Sequence, residues 1–230
     1  KKVSSTSADD IRGISVTPIA ARLFEKIIHN NYISPSILSN GDKYQFAYKR
    51  KTSTIDALIT LQFHIVNLLE NKSVGAVHII SIDFAKAFDK LNQELAYNKC
   101  SKFMPNQKLV MWLYNFSKNR HQRLIWEDLD LPFKEIQLGC SQGTVGGPNL
   151  FSMFTDDLKC INSTSFMLKY ADDTILIVPC YIKNNNTNKK LHEEIDNIFK
   201  WSERNKLPIN MNKCCQLIVS INKYHRCKCL

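Results

Sequence analysis

Three aspartates sit where apolar, strand-like runs end. Asp83 follows Val77-His78-Ile79-Ile80-Ser81-Ile82, and Asp172-Asp173 precede Thr174-Ile175-Leu176-Ile177-Val178. A carboxylate at the end of an apolar strand is costly unless something compensates it. Adjacent carboxylates repel, and a divalent cation held by oxygen ligands relieves the repulsion. If the fold brings Asp83 to Asp172 and Asp173, the chain holds a three-carboxylate Mg²⁺ site, the core of two-metal phosphoryl transfer. Taken alone, Asp83 reads equally as the cap of a following turn, and Ala171-Asp172-Asp173 as an ordinary hairpin tip.

A glycine-rich loop lies between the two acidic clusters: Ser141-Gln142-Gly143-Thr144-Val145-Gly146-Gly147-Pro148-Asn149-Leu150-Phe151. Glycines let backbone approach a sugar, base or phosphate closely, and the Gln142 amide both donates and accepts. The loop is not a nucleotide-binding P-loop, because the lysine and the second spacing are absent.

The elements that must position these residues are legible as periodicity. Apolar residues at helical spacing (Ile19, Leu23, Phe24, Ile27, Ile28) predict a helix over 14–29, with Pro18 in its first turn. A second helix is predicted from Thr54 to Glu70, capped by Ser53 or Thr54 with Asp56 in its first turn. Ala76 to Ile82 reads as a buried strand. Helices follow over 91–103 and 108–116, broken at Pro105. Leu124-Ile125-Trp126 and Phe133 to Leu138 read as paired strands. The glycine loop runs over 139–148 and a helix over 149–158. Phe166 to Tyr170 and Thr174 to Val178 read as a hairpin with the acids at its turn. A helix over 191–205 and a strand over 217–221 close the pattern. Strands and helices mix without strict βαβ alternation, which predicts an α+β fold with an antiparallel sheet.

Bulk composition narrows the classes. The 230 residues, 44% of them hydrophobic, suffice for a large core. The formal net charge of +10 favours a polyanionic partner, nucleic acid or an anionic surface. The eight cysteines are scattered rather than framed for disulfides, so reduced thiols and an intracellular, non-secreted protein are expected. Cys214, Cys215, His225, Cys227 and Cys229 fit none of the common zinc spacings. No apolar stretch reaches the ~20 residues a membrane span needs, and the polar start shows no signal peptide. The chain opens without Met and is expected to be an excerpt of a longer chain or a processed product.

In order, Asp83-Phe84-Ala85-Lys86-Ala87-Phe88-Asp89, then Gln142-Gly143 with Gly147-Pro148-Asn149-Leu150-Phe151, then Tyr170-Ala171-Asp172-Asp173 resemble motifs A, B and C of reverse transcriptases. The wording is most similar to the enzymes of non-LTR retrotransposons. Ile11-Arg12-Gly13-Ile14-Ser15-Val16-Thr17 resembles the fingers segment written R-P-I-S-L-T. Gln45-Phe46-Ala47-Tyr48-Lys49-Arg50-Lys51-Thr52-Ser53-Thr54-Ile55-Asp56-Ala57-Leu58 is similar to Q-x-G-F-R-x-x-x-S-T-x-D-A-L. Trp201 through Asn205-Lys206-Leu207-Pro208-Ile209-Asn210, ending near Lys213, resembles motif D. A lone Ala-Asp-Asp is weak; six ordered segments across nearly the whole chain are specific.

The resemblance implies a right-hand polymerase: partial fingers over 1–75 lacking their N-terminal part, a palm over 76–222 with an antiparallel sheet packed on helices, and at 223–230 the start of a palm–thumb connection without the thumb. It implies an RNA-directed DNA polymerase extending a DNA primer on an RNA template with dNTPs, in nucleus or cytoplasm. Asp83, Asp172 and Asp173, with the Phe84 carbonyl, would hold two Mg²⁺ ions, with Mn²⁺ as a substitute. Phe88 would stack under the sugar and exclude a 2′-hydroxyl; simple core packing is its other reading. Gln142 and Gly143 would line the dNTP pocket, and Arg12 would reach the triphosphate. Lys213 would protonate pyrophosphate; a solvated surface lysine is its other reading. Lys49, Arg50, Lys51 and Tyr170 would contact template or primer. Three departures stand out: Gly13 where Pro is usual, Ala47 where Gly is usual, and Lys49-Arg50 where an aromatic–Arg pair is usual. The competing readings are an RNA-dependent RNA polymerase, which Phe88 opposes, and an inactive nucleic-acid-binding remnant, which the retained acids oppose.

Overall fold

The computed structural model describes residues 17–104, 106–123, 125–126, 128–182 and 187–220. Arg12 and its segment, and the tail with His225, Cys227 and Cys229, lie outside the described residues. α1 (Ile19–Ile28) runs through a π-helical turn (His29–Ile33) into α2 (Ser34–Asn40). α3 (Thr54–Glu70) precedes β1 (Val74–Ile82), the one-turn helix α4 (Ala87–Lys90), α5 (Gln93–Phe103) and α6 (Gln107–Ser117). Short strands follow: β2 (Arg120–Gln122), β3 (Ile125–Trp126), β4 (Leu129–Asp130) and β5 (Lys134–Ile136). Then come α7 (Gly146–Phe154), β6 (Phe166–Tyr170), β7 (Asp173–Tyr181), α8 (Thr187–Asn205) and β8 (Cys215–Ser220).

The sheet order is β6-β7-β1-β8, antiparallel throughout, which bears out the α+β expectation. Apolar side chains alternate between its two faces, as a strand buried on both sides requires. Val77, Ile177, Phe166 and Leu168 pack toward Ala57 of α3. Ile80, Ile82, Leu176 and Val178 pack on the other face, with Leu191, Ile198 and Trp201 of α8 and with Phe151 and Phe154 of α7.

α3 has the predicted bounds, and Ser53 is its cap. The Asp56 N–H donates to Ser53 Oγ at 3.4 Å, and the Ser53 N–H returns to Asp56 Oδ2 at 2.7 Å. Bonds from Ser53 hold the Asp56 carboxyl below its usual range.

α1 begins directly after Pro18, and its apolar stripe faces outward: Ile19 is 72% exposed, and the one buried residue of the helix is Glu25. Two expectations are corrected. Residues 125–126 do not pair with 133–138. β3 closes a tight hairpin with β4, while β5 pairs with β2, because the shortest loop closes at least entropic cost. The glycine loop ends early, and α7 starts at Gly146 rather than Asn149. The Glu25 carboxylate accepts the N–H groups of Val145 (3.2 Å) and Gly146 (2.7 Å), a cap from 120 residues upstream that no local pattern announces.

Candidate active site

The β1–β7 register pairs Ile82 with Thr174, so continuing it sets Asp83 opposite Asp173. Tyr170 pairs with Asp173 across the hairpin, which leaves Ala171 and Asp172 as its two-residue tip. Ala171 takes a left-handed φ of 57°. Beyond β1, residues 208–210 lie along the chain like a further strand. The Asp83 carbonyl accepts the Asn210 N–H at 2.8 Å, and the Ala85 N–H donates to the Pro208 carbonyl at 2.8 Å. Carbonyls alternate sides in an extended chain. The Phe84 carbonyl therefore points away from Ile209, toward the hairpin that carries Asp172. The Phe84 ring is buried against Trp201, 5.8 Å between centroids.

The glycine loop docks on the turn after Asp83. The Gly139 N–H donates to the Leu91 carbonyl (2.7 Å) and the Cys140 N–H to the Phe88 carbonyl (2.8 Å). Gly139 has φ +83°, and a Cβ there would meet the Asp89 carbonyl oxygen at 2.7 Å, so only glycine fits. The Arg120 guanidinium ties the loop from below, donating to the Gly139 carbonyl at 2.9 Å and to the Ser141 hydroxyl. Phe88 stacks on Phe151 of α7 at 4.7 Å. Gln142 Nε2 donates to Asp89 Oδ1 at 2.8 Å.

These pieces enclose a cleft of about 620 Å³. Asp83, Phe84, Phe88, Gln142, Gly143, Asp172 and Lys213 all line it, although they come from four separate stretches of sequence. The remaining named residues lie elsewhere. Asp173 follows at the strand end. Tyr170 is partly buried against the α3-side core. Lys49 donates to the Asp42 carbonyl at 2.6 Å and is half-buried; Arg50 donates to Asn30 Oδ1 at 2.9 Å; Lys51 is exposed.

Sequence reading missed several contributors. Tyr48 lines the cleft, close enough for Asp172 to help raise its phenol pKa after burial. The aromatic three residues after Gln45 was the available signal. Asn210 and Asp89 also line the cleft. Glu25 and Arg120 act behind it, through contacts that only the fold makes.

Partial desolvation raises the Asp173 carboxyl above its usual value, and the charges of Asp172 and Asp83 raise it further. Among the described residues none of the three acids forms a salt bridge. Nor do three His, Cys, Asp or Glu side chains there converge into a ready metal cluster. The carboxylates of Asp83 and Asp172 and the backbone of Phe84 all line the one cleft. Clustered hard oxygen donors of this kind suit Mg²⁺.

An acid-ended central strand beside an acid-tipped hairpin, faced by a glycine loop, defines a polymerase palm. The chain belongs to the reverse transcriptase family: the model for "Reverse transcriptase (RNA-dependent DNA polymerase)" matches residues 1–230. It is 25% identical over 222 residues to the RNA-directed DNA polymerase from mobile element jockey of Drosophila melanogaster, covering 92% of this chain and 24% of that protein. It is 27% identical over 218 residues to the probable RNA-directed DNA polymerase from transposon BS of the same fly, covering 90% and 23%. The chain therefore spans about a quarter of the length of these relatives. Apo telomerase from Candida tropicalis, truncated from its C-terminal domain, shares the fold: TM-score 0.61, 14% identity, 91% of this chain and 45% of that one.

Proposed function

We propose that the chain is the fingers–palm core of an RNA-directed DNA polymerase of a non-LTR retrotransposon. Residues up to 75 serve as fingers and 76–222 as palm. Asp83 and Asp172, with the Phe84 carbonyl and with Asp173 assisting, hold the metal pair. Two Mg²⁺ ions, or Mn²⁺ in their place, supply acidification of the primer 3′-hydroxyl and charge neutralisation on the departing pyrophosphate. Phe88, braced by Phe151, presents its ring under the sugar and leaves no room for a 2′-hydroxyl. Gln142 and Gly143 line the dNTP pocket, and Gly143 has φ +92°, which brings backbone close. Arg12 reaches the triphosphate, and Lys213 at the cleft edge delivers a proton to pyrophosphate. Lys49, Arg50, Lys51 and Tyr170 contact the RNA template and DNA primer, which the net charge of +10 attracts.

The observation that carries this reading is the shared cleft of Asp83, Asp172, Phe88 and Gln142. The six described cysteines are unpaired, in keeping with work in the nucleus or cytoplasm. No helix among the described residues is long and apolar enough to cross a membrane. The test is Mg²⁺-dependent dNTP incorporation on an RNA template by the chain in its full-length context. Asp83→Asn and Asp172→Asn should each abolish it; unchanged incorporation in either would remove the metal-site assignment.

A further inference from the structure

We infer that Gln45 is a positioning residue for Asp172, locking the tip of the acid-bearing hairpin in the conformation that presents its carboxylate. The inference rests on the reading of Asp83 and Asp172 as metal ligands.

Ala171 occupies the left-handed region at φ 57°, where a Cβ is unfavourable and glycine or asparagine is the usual choice. Something outside the hairpin must hold it there. Gln45 Nε2 donates to the Ala171 carbonyl at 3.1 Å, and the Ala171 N–H donates to Gln45 Oε1 at 3.0 Å. One side-chain amide thus grips the peptide planes on both sides of Ala171. The plane on the C-terminal side is the one that leads into Asp172, so its orientation aims the Asp172 side chain.

Gln45 itself has no freedom. It is 3% exposed, and its Oε1 also accepts the Ala47 N–H at 3.1 Å. Its backbone is laid along β6: the Phe46 N–H donates to the Lys169 carbonyl and the Lys169 N–H to the Tyr44 carbonyl, both at 2.9 Å. Lys169 is buried beneath, its ammonium 2.9 Å from Asp42 Oδ2 and 2.7 Å from the Thr155 carbonyl. The amide is therefore delivered to the hairpin tip by an anchored ladder. The role needs a donor and an acceptor on one planar group, which neither a carboxylate nor an apolar side chain supplies.

The test is Mn²⁺ binding to the metal-free chain, with free Mn²⁺ read by electron paramagnetic resonance, alongside melting temperature and single-nucleotide kinetics. Wild type should bind Mn²⁺ and Asp172→Asn should not; if wild type fails here, the metal-site reading falls, and this separates its failure from that of Gln45. Given that control, Gln45→Met and Gln45→Glu should weaken Mn²⁺ binding about tenfold, the usual scale for groups that orient ligands. They should lower kcat while leaving KM for dNTP within about twofold. Adding Ala171→Gly, which accepts the left-handed conformation freely, should recover melting temperature but not Mn²⁺ affinity. Unchanged Mn²⁺ affinity in both variants, or its full recovery with Ala171→Gly, would overturn the proposal. So would failure of both Gln45 variants to fold, which would make the residue a determinant of the fold instead.

Discussion

Gln142 Nε2 lies 2.8 Å from Asp89 Oδ1, and this bond joins the glycine loop to the turn that carries Phe88. One of the two N–H donors of the Gln142 amide is thereby engaged, which fixes the orientation of the amide at the proposed dNTP pocket. Asp89→Ala should release the amide and raise KM for dNTP about 3- to 10-fold, the range of one exposed charge-assisted bond, with kcat little changed. Asp89→Asn keeps an acceptor and should fall between. Steady-state kinetics decide it; an unaltered KM in Asp89→Ala would mean the bond does not shape the pocket.

Phe88 lines the cleft and stacks on Phe151 at 4.7 Å, so the ring proposed as the sugar gate is also a packing residue. Phe88→Ala should lower the preference for dNTP over rNTP by roughly 10- to 100-fold, the scale on which a pocket rejects a single hydroxyl. Phe88→Tyr, which keeps the stack, should retain most of the preference. Competing single-nucleotide incorporations give the ratio. Strict exclusion of ribonucleotides by Phe88→Ala would assign the gate elsewhere.

Glu25 caps α7 from another element, and a Cβ on Gly146 would meet Glu25 Oε1 at 2.8 Å. Glu25→Ala should cost about 1–2 kcal/mol, the scale for a carboxylate that caps a helix N-terminus out of solvent. Gly146→Ala should also destabilise, because the carboxylate must move. The pair should be less than additive, since each change removes the contact the other disturbs. Denaturant melts of the four proteins measure the coupling; full additivity would show that the two residues do not interact.

Asp172 was legible at a hairpin tip because apolar strand-like runs flank it on both sides, while its meeting with Asp83 followed from the resemblance of the motifs and not from any spacing. α3 was legible to the residue because its capping box is local: Ser53 and Asp56 are three apart. What escaped was set by contacts between distant segments. The outward stripe of α1 has the spacing of a core helix, yet Glu25 is buried because its partners, Val145 and Gly146, lie 120 residues away. The start of α7 followed the same contact. Gln45 was quoted within a motif, but its grip on Ala171 depends on a backbone ladder with β6 that no spacing reveals. Short strands of two or three residues carry too little pattern to name their partners, and β3 and β5 were mispaired for that reason.

The Asp173 carboxyl gives a dependence on pH whose sign is fixed. Partial desolvation, then the charges of Asp172 and Asp83, raise it above the usual 3.8. A raised carboxyl binds its proton more tightly in the fold than in the unfolded chain. Stability is then greatest below the usual value and falls as pH rises through the interval up to the raised one. At neutral pH the metal-free fold carries the whole penalty. Asp173→Asn removes the charge and should raise the melting temperature of the metal-free protein at pH 7 by about 1–2 °C, a discounted figure for a largely exposed group. The gain should shrink as pH is lowered toward the usual carboxylate value. Saturating Mg²⁺ should reverse the order, because the cation stabilises the native state of the protein that keeps all three acids. Thermal melts of both proteins, with and without Mg²⁺ across this pH range, measure each arm. If Asp173→Asn were no more stable than wild type at pH 7 without metal, the three acids would not be repelling one another.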